Sequence, residues 1–407
     1  MTLAHGTPDD AAALPPRPRV YGRALRPLWA LREGTAFLNH GSYGAVPWTV
    51  AVRQKAHRRR MEAEPDLFFA EMQRRGPGAP LRQVARVFAG LLETPAERLA
   101  LVENASAGVT AALASAELKP GDEVLISSHQ YPAVRLAVAA LARRTGAVPV
   151  VADVPMPTTP EEAAERLMAA VTPRTRLAVL DHISSASALR WPVEALVPEL
   201  RARGIATLVD GAHALGHLPA RPAAMGADWY VSNAHKWLYA PRGTAVFYAS
   251  EEAAARLSPP TVSHFLESGF PDAFDYLGTR DYSAWLSAPA GAEFAERMGQ
   301  EGAALHAAML LGAAREALGA LGAVPVSPLE PGMRMLSFLM PPALVSPDPA
   351  EVAVLREGLL AEGIVVYLQP FLGRAILRVS APPYADAQDV DRLAEALGRR
   401  LGARAAV

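Results

Sequence analysis

Lys236 sits in the string SNAHKWLYAPRG, residues 232–243, and is one of only three lysines in 407 residues. The remaining basic residues are 37 arginines. Arginine replaces lysine as a surface cation but not as a reactive amine, because its guanidinium stays protonated. A lysine held between His235 and Trp237, directly after the apolar run DWYVS, is therefore a candidate nucleophile. Twenty-six residues earlier a second apolar run ends in Asp210, followed by Gly211, Ala212 and His213. A carboxylate at a buried strand end needs a cationic or hydrogen-bonding partner. The string VENASAGVT places Asn104 and Ser106 ahead of small residues, as in a helix start whose free amides take a phosphate. VLDHISSASA adds Asp181, His182, Ser184 and Ser185 at a fourth run's end.

Taken singly, these have plain readings: a capped helix, an aspartate closing a turn, a satisfied structural histidine. Their order and spacing together suit pyridoxal 5'-phosphate. That cofactor needs a lysine for its Schiff base and a carboxylate against the pyridine nitrogen. It also needs a helix start for phosphate and a flat group on the ring. No GxxxxGK[ST] occurs, so a nucleotide P-loop does not explain the helix start.

The elements that would position these groups alternate. Strand-like runs at 98–102, 123–127, 149–153, 176–181, 205–210, 228–232 and 243–248 are separated by amphipathic stretches at 80–92, 106–117, 132–145, 160–171 and 193–203. This spacing predicts an α/β fold, a mostly parallel sheet between helices, whose ligands bind at the carboxyl ends of the strands. After about residue 290 the pattern changes. A long Ala-rich helix over 284–320, broken near Gly302, leads into strands at 334–340, 364–369 and 376–380 with helices at 349–362 and 387–402. The expected organisation is a flexible N-terminal arm (1–34), a large α/β domain (35–290) and a small C-terminal α+β domain (291–407).

Composition narrows the classes. Apolar residues make up 51% and charged residues 20%, as in a globular chain with a large core. The net charge of −1 argues against nucleic acid or an anionic membrane as partner. His57–Arg60 reads as a solvated helix face. With no cysteine, disulfides, thiolate metal sites, iron–sulfur clusters and a thiol nucleophile are excluded, and no metal site is expected. The N-terminus lacks the apolar core of a signal peptide, and no run is long and charge-free enough to span a bilayer. The expectation is a soluble, cytoplasmic protein.

Seven strings carry a resemblance: FLNHGSYGAVP (37–47), MEAEPDLFF (61–69), NASAGVTAAL (104–113), DGAHALG (210–216), SNAHKWLYAPRGTAVFY (232–248), LGTRDYSAWLSAPA (277–290) and LRVSAPPYAD (377–386). With them the chain resembles the class V aminotransferases, of the aspartate aminotransferase-like PLP fold, in the isopenicillin N epimerase-like branch. The resemblance implies that Lys236 forms the Schiff base and shuttles the proton at Cα. It puts Asp210 on the pyridine nitrogen, His213 on the phenolic oxygen, and Tyr131 against the ring. It puts Ser106, the Ala107 amide, Asn233 and His235 on the phosphate, and Ser185 near the ring oxygen. Thr279 would reach the phosphate of a partner subunit, implying a homodimer with active sites at the interface. Arg378 would grip the substrate α-carboxylate with its bidentate fork, with Asn39 and His40 on the substrate side.

Cysteine desulfurases share most of these motifs, but they need a cysteine to accept sulfur and this chain has none. Three reactions at Cα of an amino-acid-like substrate stay open: epimerisation, β-elimination by a C–S or sulfoxide lyase, and transamination. Epimerisation needs a second proton donor, for which Tyr131, Tyr43, His40 and His264 are candidates. A non-catalytic PLP-fold module, as in some regulators, would call for a DNA-binding helix-turn-helix, and the Pro-rich residues before the match do not resemble one.

Overall fold

The computed structural model describes residues 13–405. Seven strands form the central sheet: β2 (Leu99–Val102), β3 (Glu123–Ser127), β4 (Val148–Ala152), β5 (Thr175–Asp181), β6 (Ala206–Asp210), β7 (Trp229–Asn233) and β8 (Ala245–Ala249). Their order is β2-β8-β7-β6-β5-β3-β4, and β8 alone runs against the others. The inner strands are buried along both faces, which is why they read as unbroken apolar runs rather than alternating ones. Helices including Ala105–Ala114, Pro132–Thr145 and Val193–Ala202 cross between them.

The C-terminal part is an antiparallel sheet of β9 (Val324–Pro325), β10 (Met335–Leu339), β12 (Tyr367–Phe371) and β13 (Arg374–Ser380), in the order β12-β13-β10-β9. Helices Gln300–Gly319, Pro349–Ala361 and Ala387–Ala405 complete it. The long helix expected to break near Gly302 ends at Met298, and a new one starts at Gln300, with Gly299 between them at φ 73°. No helix among the described residues is long and apolar enough to cross a membrane.

The chain's two ends are joined. The short strand β1 (Ala36–Phe37) pairs in parallel with β11 (Ile364–Val365), and Ala36 and Leu38 lie in the C-terminal core. Residues 13–34, expected as part of a flexible arm, are docked instead; residues 1–12 lie outside the described residues. Trp29 is 3% exposed and its indole donates to the Ala45 carbonyl, while Gly22 N–H donates to Pro383 O and Arg23 pairs with Asp386 and Asp389. Composition pointed to an arm because Pro and Ala dominate. A few anchors, Trp29 and Tyr21 above all, outweigh that bias by burial.

The turn after β1 then presses on the lysine loop. Gly44 adopts φ 68°, and a Cβ there would lie 2.0 Å from the His235 carbonyl oxygen. Both the left-handed backbone and the backbone-to-backbone approach demand glycine. Gly44→Ala is therefore expected to cost more than ~2 kcal/mol of stability, read as a lowered thermal midpoint, with neighbouring Ala45→Gly as the milder control.

Candidate active site

The carboxyl ends of β2, β3, β5, β6 and β7 surround a cavity of about 270 Å³. Lys236 lies three residues past β7, half-buried on the cavity wall, and has its Nζ 3.1 Å from His213 Nε2. Burial, helped by the nearby Arg378 charge, holds this amine at about 7, well below an ordinary lysine, despite the opposing pull of Asp210. Near neutrality it is thus available as a base or nucleophile.

Asp210 ends β6, 5% exposed, with one oxygen accepting the Ala212 N–H at 2.9 Å. Burial raises its carboxyl above the usual range. His213 is held neutral by burial and by the Lys236 charge, and its Nδ1 has no hydrogen-bond partner. Helix Ala105–Ala114 opens at the cavity, with Ser106 on the wall and the Asn104 side chain capping the Ala107 N–H at 2.9 Å. Asn233 Oδ1 accepts the Ala105 N–H at 2.9 Å, which leaves its side-chain NH2 free to donate. His235 Nδ1–H donates to the Thr244 carbonyl at 2.9 Å. Burial lowers this imidazole to about 4, so its Nε2 gains a proton only where an anion beside it favours the imidazolium.

Of the residues singled out in the sequence, Lys236, Asp210, His213, Tyr131, Ser106, Asn233, His235 and Ser185 all line this cavity. Ala107, Thr279, Arg378, Asn39 and His40 do not. The Ala107 amide is occupied by its own cap, and Thr279 is exposed on the surface. Arg378 is 0% exposed, set behind the wall, and donates to the Ser185 carbonyl, to Ser42 Oγ at 3.0 Å and to Asn39 Oδ1 at 3.4 Å. Its guanidinium lies over the Tyr367 ring, 4.6 Å from the centroid. His40 is also 0% exposed; its Nε2 donates to the Lys236 carbonyl at 2.9 Å and its Nδ1 accepts from Tyr384 Oη at 2.8 Å. It supports the lysine loop from behind. His264 is exposed and outside the cavity, whereas Tyr43 is on its wall.

The structure brings in one more strand-end residue, which the sequence named without giving it a role. Asp181 ends β5, pairs in register with Asp210, and lines the same cavity. It accepts from Gln130 Nε2 at 2.6 Å and from Ser184 Oγ at 2.6 Å, and Ser184 in turn accepts the Trp191 indole N–H at 2.8 Å. Burial and the neighbouring Asp210 charge push its carboxyl well up. The signal was present, since two adjacent parallel runs, RLAVLD and ATLVD, both end in aspartate.

With this geometry in view, the comparisons with known proteins agree. Residues 79–393 match the class-V aminotransferase family. An isopenicillin N epimerase of Amycolatopsis lactamdurans is 34% identical over 88% of this chain and 94% of its own. An L-cysteine desulfhydrase of Arabidopsis thaliana is 31% identical over 67% of this chain and 63% of its own. Among solved structures, the cystine C-S lyase C-DES superposes with TM-score 0.77 at 19% identity over 91% of this chain and 98% of its own. The cysteine desulfurase CsdA of Escherichia coli gives 0.76 at 21% over 95% and 100%. The chain belongs to the class-V aminotransferase family, and the fold is that of the PLP-dependent enzymes. It is a PLP-dependent enzyme of epimerase or lyase type.

The residues present fit this cofactor. The cavity offers a buried amine short of a proton, a buried carboxylate with a single backbone partner, an orphaned imidazole nitrogen, and a helix start flanked by a free amide NH2.

Keeping Lys236 enclosed has a cost that depends on pH. Its folded-state value lies below that of the unfolded chain, so the penalty is absent above the unfolded value and grows as pH falls toward about 7. Lys236→Met is therefore expected to stabilise the cofactor-free protein, by roughly 2 kcal/mol more near pH 6 than near pH 9, in denaturant unfolding at both pH values.

Proposed function

We propose that this enzyme exchanges the Cα proton of an amino acid or amino-acid-like group and returns it on either face, an epimerisation. The observation that carries the reading is a single cavity holding an amine that is neutral near physiological pH together with two phenols, Tyr131 and Tyr43. Pyridoxal phosphate, when bound, supplies an electron-withdrawing ring that stabilises negative charge at Cα. Lys236 takes and returns a proton on one face, since its amine titrates where that exchange is efficient. Tyr131, on the cavity wall and 43% exposed, supplies the proton on the other. Asp210 would hold the ring nitrogen's proton, His213 would meet the phenolic oxygen, and Ser185 would lie near it. Ser106, Asn233 and His235 would hold the phosphate, with Ala107 contributing by closing the first helical turn.

Arg378 receives the substrate carboxylate, which replaces Ser42 and Asn39 on its guanidinium. His40 acts by fixing the lysine loop. The same reading makes the protein a cytoplasmic homodimer of large (35–290) and small (291–407) domains. Thr279, exposed on its loop, would reach the partner's phosphate. Relatives named as L-cysteine desulfhydrases favour a second reading, β-elimination from a sulfur-bearing amino acid, which needs Lys236 but no second donor.

Borohydride reduction of the yellow holoenzyme is expected to fix the cofactor to Lys236, and Lys236→Ala to abolish both colour and fixation. Deuterium exchange then separates the two readings. In the epimerase, Tyr131→Phe should slow inversion by about 100-fold while Cα exchange with retention persists. Pyruvate released from cysteine or its conjugates, with no dependence on Tyr131, would establish the eliminase instead.

A further inference from the structure

Three arginines are buried among the described residues: Arg82, Arg334 and Arg378. Arg82 has its carboxylate, Asp275, at 2.7 Å. Arg378 has none, and stands where a substrate carboxylate is received. Arg334 also has none, and no catalytic role accounts for it. It is 2% exposed, and its guanidinium donates only to neutral oxygens: the Gly216 carbonyl at 3.2 Å, the Gln300 carbonyl at 3.4 Å and the Gln300 side-chain oxygen. Five N–H donors thus face three acceptors, and Nε has no partner. The ionisable groups acting most on it are the phenols Tyr239 and Tyr21, and the Tyr239 hydroxyl is itself without a hydrogen bond. A buried guanidinium left without a counter-charge is expensive.

Arg334 lies on the wall of a second cavity, of about 620 Å³, which shares no lining residue with the first. The wall is mostly apolar, with Leu215, Leu218, Leu238 and Pro331. Arg190 joins Arg334 on it, half-buried; the nearby Glu194 carboxylate feels its charge, but no side-chain ion pair or hydrogen bond of Arg190 is made among the described residues. The 20-residue helix Gln300–Gly319 begins here, adding the positive end of its dipole. One acid, Glu301, is on the wall, and it is exposed. His217, also on the wall, is neutral through burial: Nδ1 donates to the His213 carbonyl and Nε2 accepts the Arg334 backbone N–H.

We propose that this second cavity binds a small carboxylate with an apolar body, its oxygens on the guanidinium groups of Arg334 and Arg190. The fork geometry of arginine suits a carboxylate, and the apolar wall suits a hydrocarbon or aromatic remainder. The ligand would reach the back of the catalytic loops. Arg334 holds the Gly216 carbonyl, a Cβ on Gly216 would lie 2.6 Å from the Trp237 carbonyl, and His217 holds the His213 carbonyl.

The test is a soak of holoenzyme crystals with 3-bromobenzoate, whose bromine is located by anomalous scattering, together with calorimetric titration of benzoate. The expected result is a bromine peak in this cavity with carboxylate oxygens about 3 Å from Arg334 or Arg190. In solution Arg190→Ala, at a partly exposed position where folding is not at stake, is expected to weaken benzoate about 10-fold at this site. Arg334→Met, if it folds, should abolish binding there. Bromine only beside Arg378, or nowhere, overturns the proposal. So does equal binding of 3-bromobenzamide, which would make the cavity an apolar hole rather than an anion site.

Discussion

An amine held low in its proton affinity on a cavity wall just past a buried strand must be placed there by the backbone around it, and the rest of this structure is arranged to do so. Nothing ionic can clamp Lys236 from behind, because a fixed counter-charge would return its proton. The restraints are therefore neutral and steric. His40 bonds the Lys236 carbonyl, Gly44 lies against the His235 carbonyl, and Gly216 lies against that of Trp237. His40 in turn is fixed by Tyr384 and packed at a tilt against the rings of Trp237 and Tyr239. Burial lowers this imidazole to about 3, so the clamp stays uncharged at any physiological pH.

The same constraint orders the charges in the cavity. Asp181 and Asp210 end neighbouring parallel strands and cannot both ionise cheaply in a dry site. Asp181 has polar partners, Gln130 and Ser184, while Asp210 has only the Ala212 amide and the attraction of Lys236. Asp210 is thus the carboxylate left to meet a cation. Its neighbour, tied to Gln130, also fixes the residue preceding Tyr131 and so sets how that ring enters the cavity.

What could be read from sequence was whatever a strand end announces. Lys236, Asp210, Asn233 and Ser106 follow buried apolar runs, and the carboxyl-end rule gathers them before any coordinates do. What could not be read was depth. Arg378 lies on β13, next to β10, and nothing in LRVSAPPYAD tells that its guanidinium lies behind the wall, under Asn39 and Ser42. His40 in FLNHGSYG carries the residue type of a substrate contact yet faces the lysine carbonyl, because a helical turn of four residues rotates it inward. The docked N-terminal segment was hidden for a related reason. Its composition is that of a loop, and its order comes from contacts with residues more than 270 positions away, such as Tyr21 with Met298.

These long-range contacts have a functional consequence. Residues 39–43, Ser185 and Arg378, three segments that share no element, are hydrogen-bonded together beside the cavity. They meet because β1 pairs with β11 and because Ser380 N–H donates to the Leu38 carbonyl, so the N-terminal turn is fastened to the C-terminal sheet. That turn also carries Tyr43, 71% exposed at the cavity mouth, and Gly44, which presses on the lysine loop. A substrate carboxylate drawing Arg378 away from Ser42 and Asn39 would act on one rigid unit that holds both the mouth and the back of the lysine. In the proposed function, recognition of the carboxylate and placement of the amine would thereby be coupled through that unit.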